Sequence, residues 1–273
     1  MLPGKQPSAS GAGRLSASRA GRPSAAVTKL HRRISAALEA AAGRPAATGA
    51  AHAQSEPITY YGFPKAAWRE LYAQWRQPFS ELGTEDRLAL ARLLLRSHML
   101  EEGYVALATL RTGIADLTPS TFDELDRLLD EFSSWSMTDD FASGKPSITW
   151  YLLQRYPKET LTLLARWNRS RNRWKRRASV ITFTRAVAAS GEFVDVTLRF
   201  CKALQHDSDD LVRKAVGWAL KDTIRAGPAA KRRVVALVKE MRRAGISSTI
   251  TLYAIRDLKG AEREAILRVK ATR

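Results

Sequence analysis

Asp207-Ser208-Asp209-Asp210-Leu211-Val212-Arg213-Lys214-Ala215-Val216-Gly217-Trp218-Ala219-Leu220-Lys221-Asp222 is the stretch whose reading decides the fold. Asp or Ser at its start suits a helix N-cap, and acidic residues fill its first turn, where the helix dipole favours them. At roughly 100° per residue, Leu211, Val212, Ala215, Val216, Ala219 and Leu220 cover one half of the wheel, a core face. Lys214, Trp218 and Lys221 fall on a narrow strip beside it. Two readings of that strip stay open. The indole packs against a sugar while the lysines hold phosphates, or Trp218 is a partly buried core residue with snorkelling lysines beside it.

Outward from this helix the chain repeats the same period. Helical spacing of apolar residues predicts helices over residues 27–42, 84–97, 101–110, 148–156, 159–168, 173–189, 193–205, 211–225, 229–243 and 246–258. Another carries Trp68, Leu71, Tyr72 and Trp75, and Thr121 and Glu124 have the spacing of a capping box before Leu125, Leu128 and Leu129. No stretch alternates with period two between turns, so the expectation is all-α. Helices in successive pairs suggest an α-α superhelix, a solenoid of roughly five or six units of ~40 residues with a concave basic binding face. Residues 1–28, rich in Ala, Gly, Ser, Pro and Arg, read as a disordered basic tail, and 29–273 as a single repeat domain. An organellar transit peptide has a similar composition.

The chain has 273 residues and a formal net charge of +18, unevenly distributed. Residues 1–55 carry a net +7, 56–144 a net −7 and 145–273 a net +18. A basic half-chain with Trp167, Trp174 and Trp218 among its cations is the footprint of a polyanion binder. No apolar run reaches the ~18 residues a membrane span requires. A single cysteine, Cys201, rules out a disulfide framework and reads as a small core residue. Four scattered histidines show no metal-ligand spacing, and no Gly-rich phosphate loop is present.

Two further clusters bear on chemistry. In Phe132-Ser-Ser-Trp135-Ser-Met-Thr-Asp139-Asp-Phe141, a helical backbone puts Trp135 and Asp139 on one face. A carboxylate beside an aromatic ring suits a cationic sugar, the oxocarbenium-like state of glycosidic bond cleavage. The plainer alternative makes Trp135 core and Asp139 a helix cap. In Asn172-Arg-Trp174-Lys-Arg176-Arg177-Ala178, Arg177 borders an apolar strip while Arg176 points towards solvent or a phosphate. A guanidinium ~4 Å from Asp139 would favour its ionised form by roughly 4 kcal/mol at an effective dielectric near 20. A simple solvated basic face is the alternative.

Together with Tyr61-Gly62-Phe63, these clusters (Trp135-x-x-x-Asp139, Trp174-x-x-Arg177-Ala178 and Arg213-Lys-Ala-Val-Gly-Trp218-Ala-Leu) resemble the AlkD-like DNA alkylation repair family of HEAT-like-repeat DNA glycosylases. The resemblance implies hydrolysis of the N-glycosidic bond of cationic N3- and N7-alkylated purines in duplex DNA, with no metal or cofactor. By residue it implies Asp139 as the catalytic aspartate, Trp135 and Trp218 as the sugar-facing tryptophans and Arg177 as the active-site arginine. Family members of this kind act without flipping the base into a pocket, unlike most glycosylases. Arg173, Lys175, Arg176, Arg213, Lys214 and Lys221 are the cations expected to hold DNA. Two positions depart from the family pattern: Lys221 replaces an arginine, and Ala53 stands near an expected tyrosine. The expected protein is a monomer in a bacterial cytoplasm, bound to no membrane. A non-catalytic HEAT-like binder of damaged or branched DNA is the second reading, and a basic protein scaffold the third.

Overall fold

A computed structural model describes residues 23–42, 47–50, 57–62 and 65–271. Its first helix, α1 (Ala25–Ala42), starts within the stretch read as a tail and buries Val27, Leu30, Ile34 and Leu38. Residues 1–22, Ala53 and Phe63 lie outside the described residues. A short antiparallel hairpin, β1 (Ala47–Ala50) and β2 (Pro57–Tyr60), follows, with Ala47 opposite Tyr60 and Ala50 opposite Pro57. Sequence periodicity gave no sign of these strands. Four residues are too few to display an alternating pattern, and backbone pairing alone defines them.

Helices α2 (Lys65–Glu81), α3 (Thr84–Leu95), α4 (Leu100–Thr112), α5 (Phe122–Asp130) and α6 (Trp135–Ala142) come next. Then follow α7 (Ile148–Arg155), α8 (Pro157–Asn168), α9 (Arg173–Ile181), α10 (Arg185–Ala189) and α11 (Val194–Ala203). The chain closes with α12 (Asp210–Thr223), α13 (Pro228–Arg243), α14 (Ser248–Ala254) and α15 (Gly260–Leu267). The result is an all-α repeat of helices in two layers. One layer runs α4–α6–α9–α12–α14, each helix packed on the next; α3–α5 and α8–α11–α13 pack in the other. A single apolar cluster runs between them from Val27 to Ile266, so neighbouring repeats share one core. No helix among the described residues is long and apolar enough to cross a membrane.

Local chemistry explains where the helices start. Asp209 caps α12 by accepting from Leu211 N and Val212 N, Asn172 caps α9, and Ser134 caps α6. The capping box expected at Thr121 is absent. Thr121 ends a 3-10 turn, its hydroxyl donates to Thr118 O, and Glu124 pairs with Arg92 and Arg127 instead. The single helix predicted over 173–189 is two. Thr182 and Thr184 turn their hydroxyls back to Ala178 O and Ile181 O, and Arg185 adopts a left-handed backbone with φ 56°.

Close approach of α12 to α14 depends on Gly217. A Cβ there would lie 2.7 Å from Tyr253 Cβ and 3.0 Å from Ile250 O. The glycine therefore costs some helix propensity while letting two backbones meet behind Trp218.

Candidate active site

Asp139 projects from α6 one turn after Trp135. Its carboxylate accepts a fork from Arg177 on α9, with Nε 2.8 Å from Oδ1 and Nη2 3.0 Å from Oδ2. The remaining guanidinium nitrogen, Nη1, donates to Leu211 O in the first turn of α12 at 2.6 Å. One buried arginine thus ties three helices of the site layer together. A bidentate fork fixes a carboxylate's orientation as well as its position. The Asp139 side chain is 17% exposed and that of Arg177 is 7% exposed, so the acid keeps more contact with solvent than its partner.

Burial pushes the Asp139 carboxyl above the ordinary carboxylate range; the charge and hydrogen bonds of Arg177, and the charge of Arg185, oppose the rise without cancelling it. The alternative reading of Asp139 as a helix cap does not hold: it lies inside α6, where Ser134 is the cap. Trp135 and Trp218 are both partly exposed and rest one edge on the core. By contrast Trp167 is fully buried, donating to Asp126 Oδ1 at 2.7 Å, and Trp174 is 8% exposed. Two of the three tryptophans set among the cations are therefore core, because helical spacing places them on the inner stripe.

Trp218 is held from below. Its Nε1 donates to Asp222 Oδ2 at 2.8 Å, and the same oxygen accepts from Arg185 N, also at 2.8 Å. Arg185 folds back so that its guanidinium carbon sits 5.4 Å from the Trp218 ring centroid. It is exposed, and it is the cation that, with Arg177, lowers Asp139. Gly144 makes room for it: a Cβ there would come within 2.6 Å of Arg185 Cδ. Arg185 and Asp222 connect the carboxylate to the second indole, and neither was a candidate from sequence. The signal for Asp222 was present, since it stands four residues after Trp218. Arg185 gave none, because its role depends on a helix break that periodicity did not register.

Three cations expected on phosphates are instead engaged in ion pairs within the fold, Lys175 and Lys221 buried and Arg176 partly so. Lys175 turns to α5 and meets Asp130 at 2.8 Å and Asp126 at 3.1 Å. Arg176 is forked on Asp207 at 2.6 and 3.2 Å and also donates to Ser170 O and Arg171 O. Lys221 is 7% exposed and lies 2.8 Å from Asp222 Oδ1. A buried cation cannot leave its carboxylate without stranding both charges, so each pair serves structure. Sequence alone could not place those acids, which come from α5 for Lys175 and from the connection between α11 and α12 for Arg176. Arg173, Arg213 and Lys214 stay partly exposed beside Asp209 and Asp210. Among the described residues no three His, Cys, Asp or Glu side chains converge on a metal-sized space.

Tyr61 and Gly62 form a turn clamped by α4. Both backbone N–H groups donate to Glu101, and the Tyr61 hydroxyl donates to Glu102 Oε1 at 2.9 Å. That part of the family word is a structural joint.

Comparison with known proteins places the arrangement. No curated protein matches the sequence. A solved structure, a predicted DNA alkylation repair enzyme from Enterococcus faecalis, superposes with a TM-score of 0.60 at 13% identity, covering 86% of this chain and 96% of that one. At that identity the likeness is one of fold. The sequence model of the DNA alkylation repair enzyme family matches residues 34–258, which span the hairpin, the site layer and every residue of the Asp139–Arg177–Arg185–Trp218 set, and the chain belongs to that family.

Proposed function

We propose that this protein is a DNA glycosylase that hydrolyses the N-glycosidic bond of cationic N3- and N7-alkylated purines in duplex DNA. The family supplies DNA as the partner and repair of alkylation as the task. The observation that carries the finer reading is the partly exposed Asp139 carboxylate, fixed by the Arg177 fork and desolvated enough to raise its pKa. A preorganised anion in a poorly hydrated setting stabilises positive charge developing on a deoxyribose far better than the same anion in water. Trp135 and Trp218 would pack on that sugar. The lesion base already carries positive charge and leaves without a general acid, so a single ionised carboxylate suffices for departure. Asp139 would then orient water towards the sugar carbon.

The test is release of 7-methylguanine from a duplex, read as abasic sites. Asp139→Asn keeps shape and removes charge; the reading requires a drop of two orders of magnitude or more. Full activity in that variant would remove Asp139 from the mechanism.

One observation favours a second reading, a binder of damaged or branched DNA without base release. Both Asp139 oxygens are engaged by Arg177, which offsets the charge meant for the sugar. That reading predicts tight binding to a 7-methylguanine duplex with no abasic product from the wild type.

A further inference from the structure

Two backbone turns meet beside the Asp139 carboxylate. One follows α6, the helix of Asp139, and carries Gly144 and Lys145; the other follows α9, the helix of Arg177, and carries Arg185. The turns touch, since a Cβ on Gly144 would lie 2.6 Å from Arg185 Cδ and 2.9 Å from its Cβ. Only glycine leaves room there for the arginine stem. From the other side Asp222 pins the Arg185 backbone by accepting its N–H. Lys145 and Arg185 are both exposed, and each rests its charge on an indole. Lys145 Nζ is 5.0 Å from the Trp150 ring centroid, and Arg185 Cζ is 5.4 Å from that of Trp218. Among the described residues neither side chain is hydrogen-bonded or ion-paired. They differ in this from Arg173, Arg213 and Lys214, each of which stands within 3.5 Å of Asp209 or Asp210.

From this juxtaposition we infer that Lys145 and Arg185 form a phosphate clamp, holding the DNA backbone next to the nucleotide whose sugar lies on Asp139. The clamp rests on the sugar site proposed above and adds the groups that keep the strand in register there. Charge is the first reason. A duplex binder gains affinity by releasing counterions from phosphates, and only cations not already neutralised within the fold can do so. Position is the second. Both cations follow the helices of the Asp139–Arg177 pair, and Arg185 is near enough to act on the Asp139 carboxyl. A phosphate seated there would repel that carboxylate, and two cations beside it offset the repulsion. The present contact of Arg185 is the third. Its guanidinium occupies the ring of Trp218, the indole given to the sugar, so the two compete for it. A phosphate offers the displaced guanidinium a charge-assisted partner, and a cation–π contact at an exposed site is weak enough to give up. With its backbone held by Asp222 and by the Gly144 turn, the side chain alone swings. A cation that only offset a helix dipole would bond the terminal carbonyls, whereas these two lie on indoles.

The experiment uses the full chain and duplexes with and without one 7-methylguanine, with binding measured across a salt series. In the double variant Lys145→Gln/Arg185→Gln the slope of log K against log salt should fall by about 2, since each phosphate contact contributes about 0.9. Affinity for both duplexes should fall roughly tenfold with it. Arg185→Lys keeps the charge and should keep the slope. Arg199→Gln/Lys202→Gln removes the same charge from exposed positions on α11, in the other helix layer, and should leave the slope unchanged. Neutral methylphosphonates in place of the phosphates on either side of the lesion locate the clamp: they should weaken wild type and leave the double variant unaffected. An unchanged slope in the double variant, an equal fall in the α11 variant, or equal sensitivity of wild type and double variant to methylphosphonates overturns the clamp. Wild type that binds neither duplex overturns DNA as the partner and the clamp with it. Base release from the 7-methylguanine duplex, measured in parallel, reports on the glycosylase reading alone: the expected slopes without abasic product would keep the clamp and remove that reading.

Discussion

The indole Nε1 of Trp218 donates to Oδ2 of Asp222, one turn further along the same helix, at 2.8 Å. Asp222 is 1% exposed and also receives Arg185 N and the Lys221 ammonium. A single buried carboxylate therefore sets the pose of a partly exposed aromatic ring and of the arginine above it.

Asp222→Ala should cost both activity and stability. It leaves the Lys221 charge buried without its main partner, a loss of about 3–5 kcal/mol by analogy with broken buried pairs. Asp222→Asn keeps an acceptor for the indole and should retain more of both. Urea unfolding and abasic-site release check this, and equal stability of the alanine variant and wild type would contradict it.

The raised pKa of Asp139 sets the sign of two pH effects. Catalysis by the ionised form requires the rate to climb with pH along an acid limb whose midpoint lies above the ordinary aspartate value of 3.8. Arg177→Gln removes the cation that opposes the rise, so its midpoint should move further up. For stability the same shift works in reverse. The folded state holds the proton more tightly than the unfolded one, so this group's contribution falls as pH rises from the unfolded pKa through the folded one. A pH–rate profile of wild type and Arg177→Gln is the measurement, and an unmoved midpoint would count against the pairing.

Gly217→Ala should destabilise although alanine is the better helix former. Its methyl would meet Tyr253 Cβ at 2.7 Å and the Ile250 carbonyl at 3.0 Å, and a carbonyl in a packed helix yields little. Overpacking of this kind costs about 1–3 kcal/mol. Thermal unfolding reads it directly; a rise in Tm would show that α12 and α14 separate freely.

Cys201 should resist thiol reagents in the native state. It is fully buried on α11, and burial alone pushes its thiol up, away from the reactive thiolate. Labelling is expected at the rate of global unfolding, and rapid labelling without denaturant would indicate local opening around α11.

The helical class and most helix bodies were legible from the chain, because each stripe of apolar residues at 3.6 spacing must find a partner surface. Trp135, Asp139, Arg177 and Trp218 were nameable for the same reason, being the polar or aromatic interruptions at the edges of those stripes. The hairpin was not, since its pairing is a property of backbone and not of side chains. Nor was the break at Arg185, where two threonines and a remote carboxylate outweigh local helical preference.

What the sequence determined by itself is the set of faces: which side of each helix is greasy, where caps begin it and where the positive charge accumulates. Tertiary structure alone decided which charges remain available. Lys175, Arg176 and Lys221 look like phosphate ligands in one dimension, yet in the fold carboxylates beside them, some on neighbouring helices, neutralise them. Arg69, Arg76 and Arg185 keep their charge at the surface. Electrostatic pairing acts over a few ångströms in space irrespective of separation along the chain, and only the assembled layers bring those partners within reach.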